Sequence, residues 1–409
     1  MSLATRMKLI SPLRIFIIAS ITALFMSYLG IWIRLIHDPA ERTGADFIHF
    51  YSAGRIAQIY GPSHVYDLEL QHKMEEEQVG FPIERRQVLP FNHLPFLIPI
   101  LQITMTADYV NSFFRWVILM VLAFVLGFSL FGLLLRQAGI ERRLILIALL
   151  GGLLFLPCFF SLMNGQDTAL LFLGAAIWVY GLISGRPVLS GLGLSLTTIR
   201  PHLALLFAIP MVFYQRRIFL GFLMGSGALA TLSLSILGIE GTYQFVDILL
   251  LSAGGAGHGI KQAAMFNLIG FLMRAMPWLG EDSIRLTGWV MYATTILGLC
   301  ILWARNKMQP DWRIGLTVTL AVFVAPHLHF HDLALLLIPI YEFVRLSNQN
   351  AGQEMPVTVI TPLAVSLLLL ISNISPILQY TIPYLVMLAL AAYPRFSGWK
   401  APLTAPHRS

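Results

Sequence analysis

RPVLSGLGLSLTTIRPHLALLFAIPMVFYQRR, residues 186 to 217, is apolar except at its two ends and at one interior point, Arg200-Pro201-His202. Its flanks, Arg186 and the pair Arg216-Arg217, are basic, and basic loops of membrane proteins stay on the cytoplasmic side. The 29 residues from Pro187 to Gln215 therefore enter the membrane and return. Two full spans need about 40 residues, so the stretch reads as two short helices meeting at a tip that carries Arg200 and His202, sunk below the outer surface. The same arithmetic applies between Arg313 and Arg345, where the tip is Ala325-Pro326-His327-Leu328-His329-Phe330-His331-Asp332. Short, interrupted apolar segments with ionisable residues at the break point to a site in a membrane protein.

The rest of the composition agrees with a membrane chain. Of 409 residues 57% are hydrophobic and 11% charged, with a mean hydropathy of +0.75, whereas soluble domains carry about 25% charged residues. Apolar runs recur from residue 15 to 393 with no large polar block between them. One membrane domain therefore fills 1–409: a first transmembrane helix at 15–36, an outer loop at 37–110, the remaining transmembrane helices at 111–393 and a cytoplasmic tail at 394–409. Arg6, Lys8 and Arg14 precede the first run, which is too long for a signal-peptide core and lacks a small-residue cleavage pattern. The net charge of +7 marks topology rather than nucleic acid. Cys158 and Cys300 both lie in apolar runs, so no disulfide framework is indicated.

The run 91–104, with Pro95 and Pro99, is short for a crossing. Treating it as interfacial or re-entrant, with the next crossing at 111–135, places every later basic cluster on the cytoplasmic side. The fold expected is an all-α polytopic bundle of about 12 transmembrane helices with both termini cytoplasmic and interfacial helices in the first outer loop. Trp32, Trp116, Trp178 and Trp399, near helix ends, read mostly as an interfacial belt.

Polar residues then gather on one face. TGADFIHFYSAGRIAQIYGPSHVYD, residues 43 to 67, supplies Asp46, His49 and Tyr51; the 164–167 turn supplies Asn164 and Gln166; the tips and the 238–282 loop supply Arg200, His202, Asn267, His327, His329 and His331. Arginine offers a planar fork of donors suited to phosphate. Histidine donates to phosphate or carries protons near neutral pH. An ionised Asp is acceptor-only, which suits a general base for a hydroxyl. Each has a plainer reading. Asp46 has the composition of a helix cap, the Asn164-Gly165-Gln166 turn that of a helix start, and the histidines that of a transition-metal site, although 327, 329 and 331 share a face only if the tip is extended.

In this order the residues resemble glycosyltransferase family 87, membrane mannosyltransferases of the GT-C architecture. The resemblance runs over about residues 40 to 345. Asp46-Phe47 with Tyr51, Gly54, Gly61 and Tyr66-Asp67 is similar to the family's first outer-loop pattern. The proline-bearing run 90–99, the Asn164-Gly165-Gln166 turn, the Arg200-Pro201 break and His331 before an apolar helix follow in the family's order. Three features depart from it: Arg200 where the family often has Lys, Phe91-Asn92-His93-Leu94-Pro95 where a tyrosine and paired prolines are common, and a tip richer in histidine.

The resemblance implies an inverting transfer of a sugar, mannose in the family, from a polyprenyl-phosphate donor to a hydroxyl of a glycolipid or glycan acceptor. It implies Asp46 as base and Arg200 and His331 at the donor phosphate; their place on the same face adds His327 at the phosphate and His49, Tyr51, Asn164, Gln166, His202, Asn267 and His329 around the substrates. No metal or other cofactor and no nucleic acid is called for. The setting implied is a bacterial plasma membrane with the site on the periplasmic side, among membrane lipids. The rival readings are a lipid or polar-solute transporter or flippase, for which broken helices would line a path through both faces, and a lipid-linked sugar polymerase or ligase.

Overall fold

Helix starts and stops in this chain are written largely in proline, glycine and short acidic side chains. The computed structural model describes residues 12–37, 46–254, 262–305, 310–351 and 366. It is 84% helix, and no strand occurs among the described residues. In chain order the helices are α1 (Pro12–His37), α2 (Phe47–Ile59), α3 (Leu68–Val79), α4 (Ile98–Thr104), α5 (Tyr109–Gln137), α6 (Arg142–Leu153), α7 (Leu156–Met163) and α8 (Thr168–Ile183). They continue as α9 (Pro187–Leu196), α10 (Pro201–Tyr214), α11 (Arg216–Gly254), α12 (Leu268–Ala275), α13 (Glu281–Ala304), α14 (Pro310–Val324) and α15 (Leu337–Ala351). The Asp67 carboxylate opens α3 by accepting from the Glu69 and Leu70 amides at 2.9 and 3.1 Å. Asp108 opens α5 by accepting from the Asn111 amide at 2.6 Å. Each satisfies donors that a helix start leaves open.

Both expected breaks are present. The chain leaves helical geometry at Arg200 (φ −120°, ψ 86°), because the ring of Pro201 disfavours α geometry in the residue before it, and α10 restarts with that proline. The second break separates α14 from the 3-10 turn Phe330–Leu336.

Among the described residues three helices are long and apolar enough to cross a membrane: α5, the Arg216–Ser252 part of α11, and α13. A fourth results if α6 and α7, bent by 49°, count as one span. Shorter apolar helices surround them, α8, α9 and α10 included. The count of about 12 crossings is thus not what the described helices give, and the run 352–393, residue 366 excepted, and the tail 394–409 lie outside the described residues. The run 91–104 is helical only over Pro95–Thr104. Ten residues rise about 15 Å, half of a hydrocarbon core of about 30 Å. α11 has the opposite mismatch: its 39 residues would extend about 58 Å if straight. Gly238, with φ 65°, bends it, and beyond the bend Phe245 packs on Tyr66 with ring centroids 4.9 Å apart.

Two expectations are corrected. α2 is not an exposed amphipathic helix: ten of its 13 residues are buried, and at Gly54 a Cβ would lie 3.0 Å from the Leu101 carbonyl of α4 and closer still to the Met105 side chain. Trp116 and Trp178 are fully buried rather than part of a belt. Trp116 Nε1 points inward to donate to the Gly165 carbonyl at 2.7 Å, and Trp178 stacks on Phe207 at 5.2 Å. Close packing of α8 on α9 depends on Gly193, where a Cβ would sit 2.5 Å from the Trp178 amide nitrogen; small residues let helix backbones approach in this way.

Candidate active site

The site begins as a buried knot of charge. Asp167, at the turn into α8, and Asp332, in the 3-10 turn after the histidine tip, are both fully buried. Arg200 joins them: its Nη2 donates to Asp167 Oδ1 at 3.0 Å, and its Nε lies 3.6 Å from Asp332 Oδ2. Thr168 Oγ1 donates to Asp332 Oδ1 at 3.1 Å, and His93 Nδ1 lies 2.7 Å from Asp167 Oδ2. Burial alone would raise both carboxyls. Arg200 overcomes it at each, helped by His93 at Asp167 and by His331 and His329 at Asp332, and holds both below the ordinary carboxylate range. Ion pairs this deep persist because removing one partner strands the other in a medium that does not solvate it.

Asp46 stands beside this knot. It occupies the N-cap position of α2 but makes no capping bond; instead it accepts from Gln166 Nε2 at 2.6 Å. The helix-cap reading is thereby set aside. Gly165 makes the meeting possible. It has φ 68°, and a Cβ there would lie 2.6 Å from Phe47 Cβ, so only glycine lets the turn close against the residue after Asp46. The Trp116 bond to the Gly165 carbonyl fixes the turn from below. Gln166 is buried while Asp46 is partly exposed, so the carboxylate is oriented from the protein side and open on the other.

At the tip Pro326 and His327 form a bend, and His329 is extended at φ −102°, ψ 170°. The imidazoles of the tip run in a row, with ring centroids 4.8 Å apart from His327 to His329 and 5.6 Å from His329 to His331. Asp46 acts electrostatically on both His329 and His331. His331 Nε2 is buried, makes no hydrogen bond, and lies 3.7 Å from Asp332 Oδ2. His202 joins the far end of the row, 6.4 Å from His327 by ring centroids, and its Nε2 is likewise without a hydrogen bond. Among the described residues no three His, Cys, Asp or Glu side chains are arranged to hold a metal ion.

Three expected residues have other tasks in the fold. Asn267 caps α12 through the Gly270 amide (2.8 Å) and donates to the Ala325 carbonyl (2.7 Å), which ties α12 to the base of the tip. Tyr51 is buried against Tyr109 and donates to the Ala107 carbonyl at 3.1 Å. Asn164 ends α7. His49 is one turn into α2, buried, with its Nε2 3.2 Å from His93 Nε2. Burial, His93 and Arg200 depress its imidazole well below the ordinary value.

Sequence reasoning missed His93, Asp167 and Asp332 as site residues. The two aspartates close the motifs Asn164-Gly165-Gln166-Asp167 and His329-Phe330-His331-Asp332, and an acid against an apolar helix in a membrane chain is itself a signal. Locally His93 is marked only by the departure at Phe91-Asn92-His93-Leu94-Pro95, and its ring partners are 44 and 74 residues away.

Neither the curated proteins nor the solved structures compared with this chain include a match. The family model for glycosyltransferase family 87 matches residues 91–326, more than half of the chain and a span that includes His93, Gln166, Asp167 and Arg200, and the chain belongs to that family.

Proposed function

We propose that this glycosyltransferase moves a sugar, mannose by analogy with its family, from a polyprenyl-phosphate donor to a hydroxyl of a glycolipid or glycan acceptor on the outer face of the membrane, with inversion. The observation that carries the reading is the placement of Asp46: a partly exposed carboxylate, held by Gln166 and opposed by a row of imidazoles. The acceptor oxygen attacks the anomeric carbon as its proton passes to Asp46. The bond from that carbon to the phosphate oxygen breaks on the opposite face, and the electron pair leaves with the lipid phosphate.

The growing charge on that phosphate needs fixed donors. His331, with a buried nitrogen free of any hydrogen bond, and His327 are the proposed contacts, with His329 and His202 beside them on the sugar. Arg200 is already shared by two carboxylates, so its proposed part is to set the potential behind the phosphate and to keep donors aimed at it. The apolar helices on either side of the breaks suit a prenyl tail. Convergence of the polar groups at one place, rather than along a path through both faces, favours transfer over transport.

The test compares donors with purified wild-type protein in detergent. Labelled sugar should reach a lipid or glycan acceptor from synthetic polyprenyl-phosphate mannose and not from a nucleotide sugar. Transfer from the nucleotide sugar alone would overturn the donor assignment.

A further inference from the structure

His93 stands where this chain departs from its family's pattern, and it is buried in the knot. The 2.7 Å contact between its Nδ1 and Asp167 Oδ2 requires a proton on Nδ1, because two lone pairs do not approach so closely. The Arg200 Nη1 contact to the same nitrogen, at 3.5 Å, is then no bond. On the other side Nε2 faces His49 Nε2 at 3.2 Å, so a single proton lies between the two rings. It belongs either to His49, with His93 neutral, or to His93, which is then an imidazolium.

Charge decides between them. Asp167 and Asp332 carry two buried negative charges, and Arg200 supplies one positive charge. A neutral His93 leaves an uncompensated buried charge, which costs several kcal/mol. His331 is the competing site, but it lies 3.7 Å from Asp332, a full ångström farther than His93 from Asp167, and His49 is poorly placed for charge for the reasons given above. We propose that His93 is a positioning residue, held as an imidazolium on Asp167, which neutralises the Asp167–Arg200–Asp332 knot and removes a net negative field from behind the anion-binding histidines. The anionic donor in this statement rests on the function proposed above; the protonation of His93 does not.

The fold invests in this placement. The Tyr66 hydroxyl donates to the His93 carbonyl at 2.6 Å, the Phe91 amide to Gln71 Oε1 at 2.8 Å and the Leu89 amide to Glu75 Oε2 at 3.2 Å. Three side chains from the end of one loop and one face of α3 thus hold the segment 89–93 against the knot.

Two measurements test the proposal. In 15N-histidine NMR of the full chain in detergent at neutral pH, without substrate, one imidazole protonated at both nitrogens should be present in wild type and absent in His93→Asn; His93→Gln serves for assignment if Asn does not fold. A singly protonated His93 would overturn the proposal, whatever the enzyme transfers. The second measurement is the KM for the polyprenyl-phosphate donor. His93→Asn should raise it about tenfold or more, as one uncompensated charge facing an anion does, and the double variant His93→Asn/Asp167→Asn, again neutral, should recover most of that loss. No recovery would show that His93 acts through shape alone and would count against the proposal. Absence of transfer by wild type would refute the donor, and the NMR result would still decide His93.

Discussion

Arg200 shows most plainly what a single residue does in this chain. Its removal as Arg200→Met strands Asp167 and Asp332 together, and breaking a buried pair costs about 3–5 kcal/mol; Arg200→Lys, which keeps the charge but not the fork, should cost less. Denaturant unfolding of the two variants against wild type measures the difference. Glu75 gives a pH test at the same scale. Burial raises its carboxyl from 4.5 to about 8, despite the Leu89 amide that favours the ionised form. Between about pH 4.5 and 8 the folded chain therefore holds a proton that the unfolded chain has lost, so stability falls as pH rises through that window. Glu75→Gln should match wild type in melting temperature near pH 5 and exceed it near pH 8; a constant difference would contradict this. Asp46 and Arg200 were legible in the sequence because each is a charge beside a break or an apolar run. Asp167 and Asp332 carry the same signal, but their meeting through Arg200, like the place of His93, is set by partners far along the chain.

The elements owe their boundaries to local chemistry and their burial to neighbours. The break at Arg200 follows from Pro201 and from a segment too short for two crossings, both visible in the sequence. The burial of α2 was not visible, since Phe47, Phe50, Tyr51 and Ile56 give the same amphipathic pattern for a surface helix as for one covered by α4 and Met105. Gly165 joins the two levels. Gly165→Ala meets both a left-handed φ, costing about 1–2 kcal/mol, and Phe47 at 2.6 Å, whereas Gly185→Ala has φ 66° and nothing within 4 Å. Gly165→Ala should therefore be the more destabilising of the two and also lower transfer by displacing Asp46 from Gln166. Equal losses of stability, with transfer unchanged, would mean that the turn does not position the carboxylate.

Across the molecule, apolar helices of very different length surround one polar site. The proposed topology puts α3 outside and the start of α6 inside. Lys73, on α3, and Arg143, in the first turn of α6, are both exposed. In intact cells a membrane-impermeant maleimide should label Lys73→Cys, and it should label Arg143→Cys only after permeabilisation; the reverse would invert the topology. The membrane class and the broken helices were readable from composition and basic flanks. The number of crossings was not, because helices such as α9, α10 and Pro95–Thr104 satisfy an apolar pattern without the length to span.

Sugar transfer by Asp46→Asn tests the central claim most directly, because the substitution keeps the shape and the bonding capacity toward Gln166 while removing the base. Transfer from polyprenyl-phosphate mannose should fall by about 10²–10⁴-fold, the usual contribution of a general base, with donor binding and thermal stability close to wild type. Transfer at the wild-type rate by that variant would contradict the account.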